Sequence, residues 1–202
     1  MIRRLLFIVP CSALAVVAAA AAESGGTWPC VQRKVPQISL TSVWTIDPPG
    51  EAAARLKSDE RVADLAERLA ARRLPLPEAI KLVESYASTL TENRREHLEG
   101  LFLALFDKLN SERGSVMDGI ERYGRKQLQF AEKLRGEQET LAAKRADPGA
   151  DASEIQDLTE ELTWNTRIFE DRRKSLTYVC EVPVIIEQRL FALAKAIQQQ
   201  LN

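Results

Sequence analysis

The chain has 202 residues, 28 of them Lys or Arg against 29 Asp or Glu, a formal net charge of −1 and 45% hydrophobic residues. That balance argues against a nucleic-acid or anionic-lipid partner. A single histidine, His97, and two methionines leave little material for metal or haem chemistry.

Residues 1–22 have the layout of a secretory signal: Arg3 and Arg4, an apolar run over 5–17, then small residues ending in Ala20, Ala21 and Ala22. Cleavage is expected after Ala22. The competing reading is an uncleaved anchor, because residues 5–22 carry no charge and match the lower limit for spanning a bilayer. The alanine ending favours cleavage, and Pro10 before Cys11 argues against a lipoprotein. Without the leader the chain keeps 26 basic and 29 acidic residues, a net charge of −3.

Three cysteines then become two, Cys30 and Cys180. In an oxidising compartment an even count pairs, and with two the connectivity is fixed. Their spacing is far from C-x-x-C, so the pair reads as a structural staple and not a redox centre. Closing a loop of about 150 residues stabilises by roughly 5 kcal/mol in the chain-entropy argument, an upper figure that native strain erodes.

Residues 23–50 contain Pro29, Pro36, Pro48 and Pro49 and are expected to be an extended strap rather than a helix. Trp28, Val35, Ile38, Leu40, Val43, Trp44 and Ile46 make it too apolar for a disordered tail. Packing on the chain's own helices is the favoured use of these side chains, and a docking surface is the other.

From residue 51 the composition turns to Ala, Leu, Glu, Arg and Lys, the strongest helix formers. A helix is expected over 51–73, with a break at Ser58 and Asp59 where a second start is capped. Leu74-Pro75-Leu76-Pro77 ends it, and Pro77 opens a helix over 77–92 that completes a short hairpin.

The strongest pattern follows. Phe102, Leu109, Val116, Tyr123 and Phe130 recur every seven residues, then Asp147-Pro148-Gly149-Ala150-Asp151 interrupts as a turn. Beyond it Ile155, Leu162, Phe169, Leu176, Pro183, Leu190 and Ile197 resume the same interval. Two arms of about 50 residues, each roughly 75–80 Å long, must return antiparallel across so short a loop. Positions whose numbers sum to about 299 then face each other, which sets Leu109 against Leu190 and Tyr123 against Leu176. Pro183 keeps the phase, so a continuous, kinked helix is favoured over a break.

The expected fold is therefore all-α: a short two-helix hairpin packed on the open end of a long antiparallel coiled-coil hairpin, with an extended N-terminal strap. Residues 51–202 form the bundle and projecting hairpin, whose tip lies near 147–151. In the projecting half Gln127, Asn165 and Arg172 occupy seam positions, where polar residues fix register at some cost in stability. Gln127 is expected to pair with Arg172. Those three residues, with Glu139 and Asp157 near the tip, are the candidate partner contacts.

No chemical motif was found. His97 has no E-x-x-H around it and is expected to be solvated; C-x-x-C-H, Gly-rich phosphate loops and G-x-S-x-G are absent. No catalytic residue, metal ligand or cofactor is expected, and the carboxylates toward the tip read as a solvated face. The leader and the geometry of a long hairpin with little core lead to the expectation of an exported, non-enzymatic interaction or scaffold protein, periplasmic or secreted, acting through its hairpin in the cell envelope. The alternative is a periplasmic chaperone or holdase for unfolded clients. The expected partner is an envelope protein or a second copy of the chain, with no nucleic acid, and with membrane contact only if the leader is retained.

Overall fold

The computed structural model describes residues 27–201, so the expected leader and the first residues of the strap lie outside the described residues. Six helices follow in order: α1 Leu40–Val43, α2 Glu51–Leu56, α3 Glu60–Ala70, α4 Leu76–Thr89, α5 Arg94–Ala146 and α6 Ala152–Gln199. Among the described residues there is no strand, and no helix is long and apolar enough to cross a membrane.

Local chemistry sets the boundaries. The Asp59 carboxylate accepts from the backbone N–H groups of Arg61 and Val62 at 3.0 and 3.3 Å, which separates α2 from α3 at the expected break. Asp151 caps α6 in the same way through Ser153 N–H at 2.8 Å. Pro77 sits in the first turn of α4, where a missing N–H costs nothing. One expectation fails: the strap contains a single helical turn, α1, because the eleven residues between Pro36 and Pro48 are free of proline.

Helices α5 and α6, of 53 and 48 residues, pack antiparallel along their length. Pro183 lies inside α6 without ending it. The expected register holds at positions far apart: Phe130 meets Phe169 edge-on at 6.0 Å, and Arg113 meets Glu187 at 2.6 Å. At the open end Leu98, Leu101, Phe102, Leu105 and Leu109 of α5 join Ile186, Leu190, Leu193 and Ile197 of α6 in one fully covered core. The two short helices straddle this end more than they pair. Helices α2 and α3 lie on α5, α4 lies on α6, and α3 touches α4 only slightly. Gly100 permits the close approach, since a Cβ there would stand 3.1 Å from the Ala53 carbonyl oxygen.

Buried polar groups lock the base. Arg189 donates from Nε to the Leu69 carbonyl at 2.7 Å and from Nη1 to the Leu74 carbonyl at 3.0 Å, satisfying the C-terminal end of α3. Arg94 reaches the Gln200 carbonyl at 3.0 Å and also the Ala87 carbonyl, joining the ends of α6 and α4. His97, expected to be solvated, is instead half-buried and lies 3.3 Å from the Tyr86 hydroxyl.

The strap runs from the middle of the hairpin to its open end. Cys30 and Cys180 form the disulfide, with Cα atoms 5.7 Å apart. Pro183 has no N–H to offer the Val179 carbonyl, and in the same turn Gln32 donates its side-chain amide to the Cys180 carbonyl. Arg113, buried on α5, donates to the Val35 carbonyl at 2.6 Å, and Ile38 N–H donates to Asn110 Oδ1 at 3.0 Å. Farther along, Trp44 is buried and stacks on Phe102 with centroids 4.1 Å apart. The first half of the strap is thus held by a covalent bond and polar contacts, and only the second half by apolar burial. Val31 and Val35 in fact face solvent.

This division predicts the effect of removing the staple. The double variant Cys30→Ser/Cys180→Ser should lose about 2–4 kcal/mol in urea unfolding while keeping its helical circular dichroism, because the Trp44 end still holds.

Candidate interaction surface

Among the described residues none of the base helices approaches the outer half of the hairpin. Thr27, the first described residue, meets α5 at Gly124, where a Cβ would overlap its carbonyl oxygen. From there to Ala146 the helix rises about 33 Å with only α6 beside it among the described residues. This is the arm.

Its interior is thin. Leu134, Leu141 and Asn165 are buried, and the Phe130 and Phe169 rings meet one turn toward the base from Leu134 and Asn165. Asn165 donates from Nδ2 to Glu137 Oε1 at 2.9 Å, and Lys133 binds the same carboxylate at 2.9 Å and Glu161 at 3.7 Å. That hydrogen bond to Glu137 is the first cause that holds the Lys133 ammonium above its ordinary range. Nearer the tip Lys144 reaches Glu154, and its ammonium is raised for the same reason. These links tie the arms in register across water-exposed edges, where each contributes little by itself.

The sequence-derived candidates separate into two groups. Asn165 is a satisfied seam residue. Gln127 and Arg172, however, do not pair as expected. The Arg172 guanidinium lies over the Phe130 ring, 5.2 Å from its centroid, and its backbone carbonyl accepts from the Tyr123 hydroxyl at 3.1 Å. A ring face beside it offers the planar cation a better-desolvated neighbour than an amide across the seam. Gln127 is left with Oε1 buried and unbonded. Glu139 and Asp157 are exposed on α5 and α6, where side chains are free to meet another molecule.

Two features went unread in the sequence. The first is Trp164, 62% exposed on α6 of the arm, with Tyr178 at 74% farther along the same helix. They lie outside the seam rows that the heptad analysis followed, yet Asp157, Trp164, Asp171, Tyr178 and Ile185 are themselves spaced by seven. The second is an open groove of about 640 Å³ beside the disulfide, lined by Val31, Leu176, Val184 and Ile185 with Arg173 and Glu181. The strap forms one wall of it, and the path of the strap depends on contacts that no periodicity encodes.

Among the described residues no group of three His, Cys, Asp or Glu side chains converges as a metal site would need. The carboxylate with the most specific environment is structural: Glu121 accepts from Thr27 Oγ1 at 3.2 Å and pairs with Lys34 at 3.0 Å. The Lys34 hydrogen bond leads the causes that hold this carboxyl below the usual range. Comparison with protein-family models, curated proteins and solved structures finds no match.

Two measurements follow from these contacts. Gln127→Leu removes an unbonded buried oxygen and should raise stability by about 1 kcal/mol in urea unfolding. In a carbon-detected NMR titration Glu121 should titrate below the ordinary glutamate range, and Lys34→Ala should raise it toward that range. The sign follows from linkage: a depressed carboxyl stabilises the fold above its unfolded pKa, and that contribution is lost as pH falls through the folded value.

Proposed function

We propose that the protein is an exported, non-enzymatic interaction protein that docks an envelope partner through its projecting arm. The observation that carries this reading is the division of the molecule into a densely packed base and a bare two-helix arm. A catalytic or small-ligand protein needs a concave, enclosed site with convergent polar groups. The arm offers the opposite, a long convex surface with exposed aromatic and charged side chains, of the kind by which helices meet helices. Export is supported by the leader-like residues 1–22 and by the disulfide, which persists in oxidising compartments.

A holdase role is favoured by one specific observation, the groove in which Val31, Val184 and Ile185 stand exposed. Exposed apolar surface of that kind is what an unfolded client would meet. The two readings place contact in different parts of the molecule.

Replacing residues 130–168 by a short turn separates them. The base should remain folded, since its core ends near Leu109 and Ile186, and the shortened protein should lose its cellular phenotype while any suppression of client aggregation persists. An intact phenotype in cells carrying the armless protein would contradict the docking role.

A further inference from the structure

The arm has two sides that differ in chemistry. On α6, residues 151–166 carry Asp151, Glu154, Asp157, Glu160 and Glu161 and no Lys or Arg, and all five carboxylates are exposed. Trp164 stands among them. Glu160 precedes it by four residues and Glu161 by three, so both flank it on one helix face, and Asp157 and Asp171 lie one heptad to either side. Among the described residues Asp157 and Glu160 make no ion pair, and Glu161 reaches Lys133 only at 3.7 Å. Among the described residues nothing covers this ring.

An indole 62% exposed keeps most of its surface outside its own fold. Its value lies in what comes against it: tryptophan is among the residues that most often dominate binding at interfaces, usually within a rim of polar groups. Here the rim is acidic toward the tip, with Glu160 and Glu161, and carries the exposed Arg167 three residues beyond. A neutral apolar partner would strip water from carboxylates without replacing it, and an acidic partner or an anionic lipid surface would be repelled. A Lys or Arg side chain satisfies both elements at once, placing its cation over the indole face within about 6 Å while the carboxylates accept its N–H groups. The arm already contains that contact internally, in Arg172 over Phe130.

We infer that the Trp164 face of α6 is the docking surface for a Lys- or Arg-bearing segment of another protein. The repeat of ring and carboxylate along the row Asp157, Trp164, Asp171 and Tyr178, in which Asp171 already pairs with Lys174 at 3.5 Å, has successive members about 10 Å apart and fits a partner element running along the arm rather than across it. The inference rests on the arm being the docking element and adds which face is used and what chemistry it meets.

The test uses the full-length protein in cells, with a photoreactive benzoylphenylalanine at Arg167, one turn beyond Trp164, and separately at Glu139 on α5. Captured peptides are sequenced by mass spectrometry. The expected result is capture from position 167, at a segment flanked by Lys or Arg, with yield at least tenfold lower in Trp164→Ala and in Glu160→Lys/Glu161→Lys at unchanged helical content and melting temperature. Unchanged yield in those variants, attachment to a segment without basic residues, or capture of the protein's own chain overturns the inference. Capture from position 139 alone overturns this face and leaves the arm as the docking element; no capture at either position removes both.

Discussion

Two helices that pair antiparallel bury one stripe each, and that limited seam governs the rest of the molecule. A stripe one or two residues wide buries less apolar surface than a helix covered on two sides, so a stretch gains stability where a third element lies across it. The chain supplies that cover at one end only. Helices α2 and α3 close over α5, α4 closes over α6, and Trp44 of the strap closes against Phe102, so that Phe102, Leu105, Leu109, Leu190 and Leu193 lose contact with water completely. Beyond Gly124 nothing further is added among the described residues.

The strap and disulfide belong to the same constraint. They occupy the transition from covered base to bare arm, where Met117 and Ile120 are still buried and polar contacts hold the strap. Arg113, Asn110, Glu121 and the Cys180 carbonyl each hold one point of the strap. Pro183 lies in this region as well. It leaves the Val179 carbonyl without its intrahelical donor one residue before the cysteine that is covalently tied. A weakened turn and its reinforcement thus coincide in space, which keeps α6 continuous from base to tip.

The arm, the tip and their register were legible in the sequence because heptad spacing is a direct record of which side chains must meet. Phe130 and Phe169 face each other as their numbers require. The Asp59 break was legible for an equally local reason, since a capping carboxylate acts within three residues. Other features depend on geometry that no local pattern carries. Arg113 and Arg189 look like members of charged helix faces but are buried because distant carbonyl groups come to them. Gln127 and Arg172 were matched by register alone, whereas the guanidinium chose the ring beside it. Trp164 was overlooked since the seam rows drew attention inward, although its own seven-residue row was present in the sequence.

Hydrogen exchange monitored by mass spectrometry on the oxidised full-length protein tests the central claim, that a well-covered base carries an arm held only by its own seam. Peptides from 98–109 and 186–197 should exchange at the rate of global unfolding. Those from 125–146 and 152–172 should exchange at least tenfold faster, through local opening, and independently of protein concentration. Uniform protection of base and arm, or arm protection that grows with concentration, would contradict the account, because the arm would then be covered by something the seam does not supply.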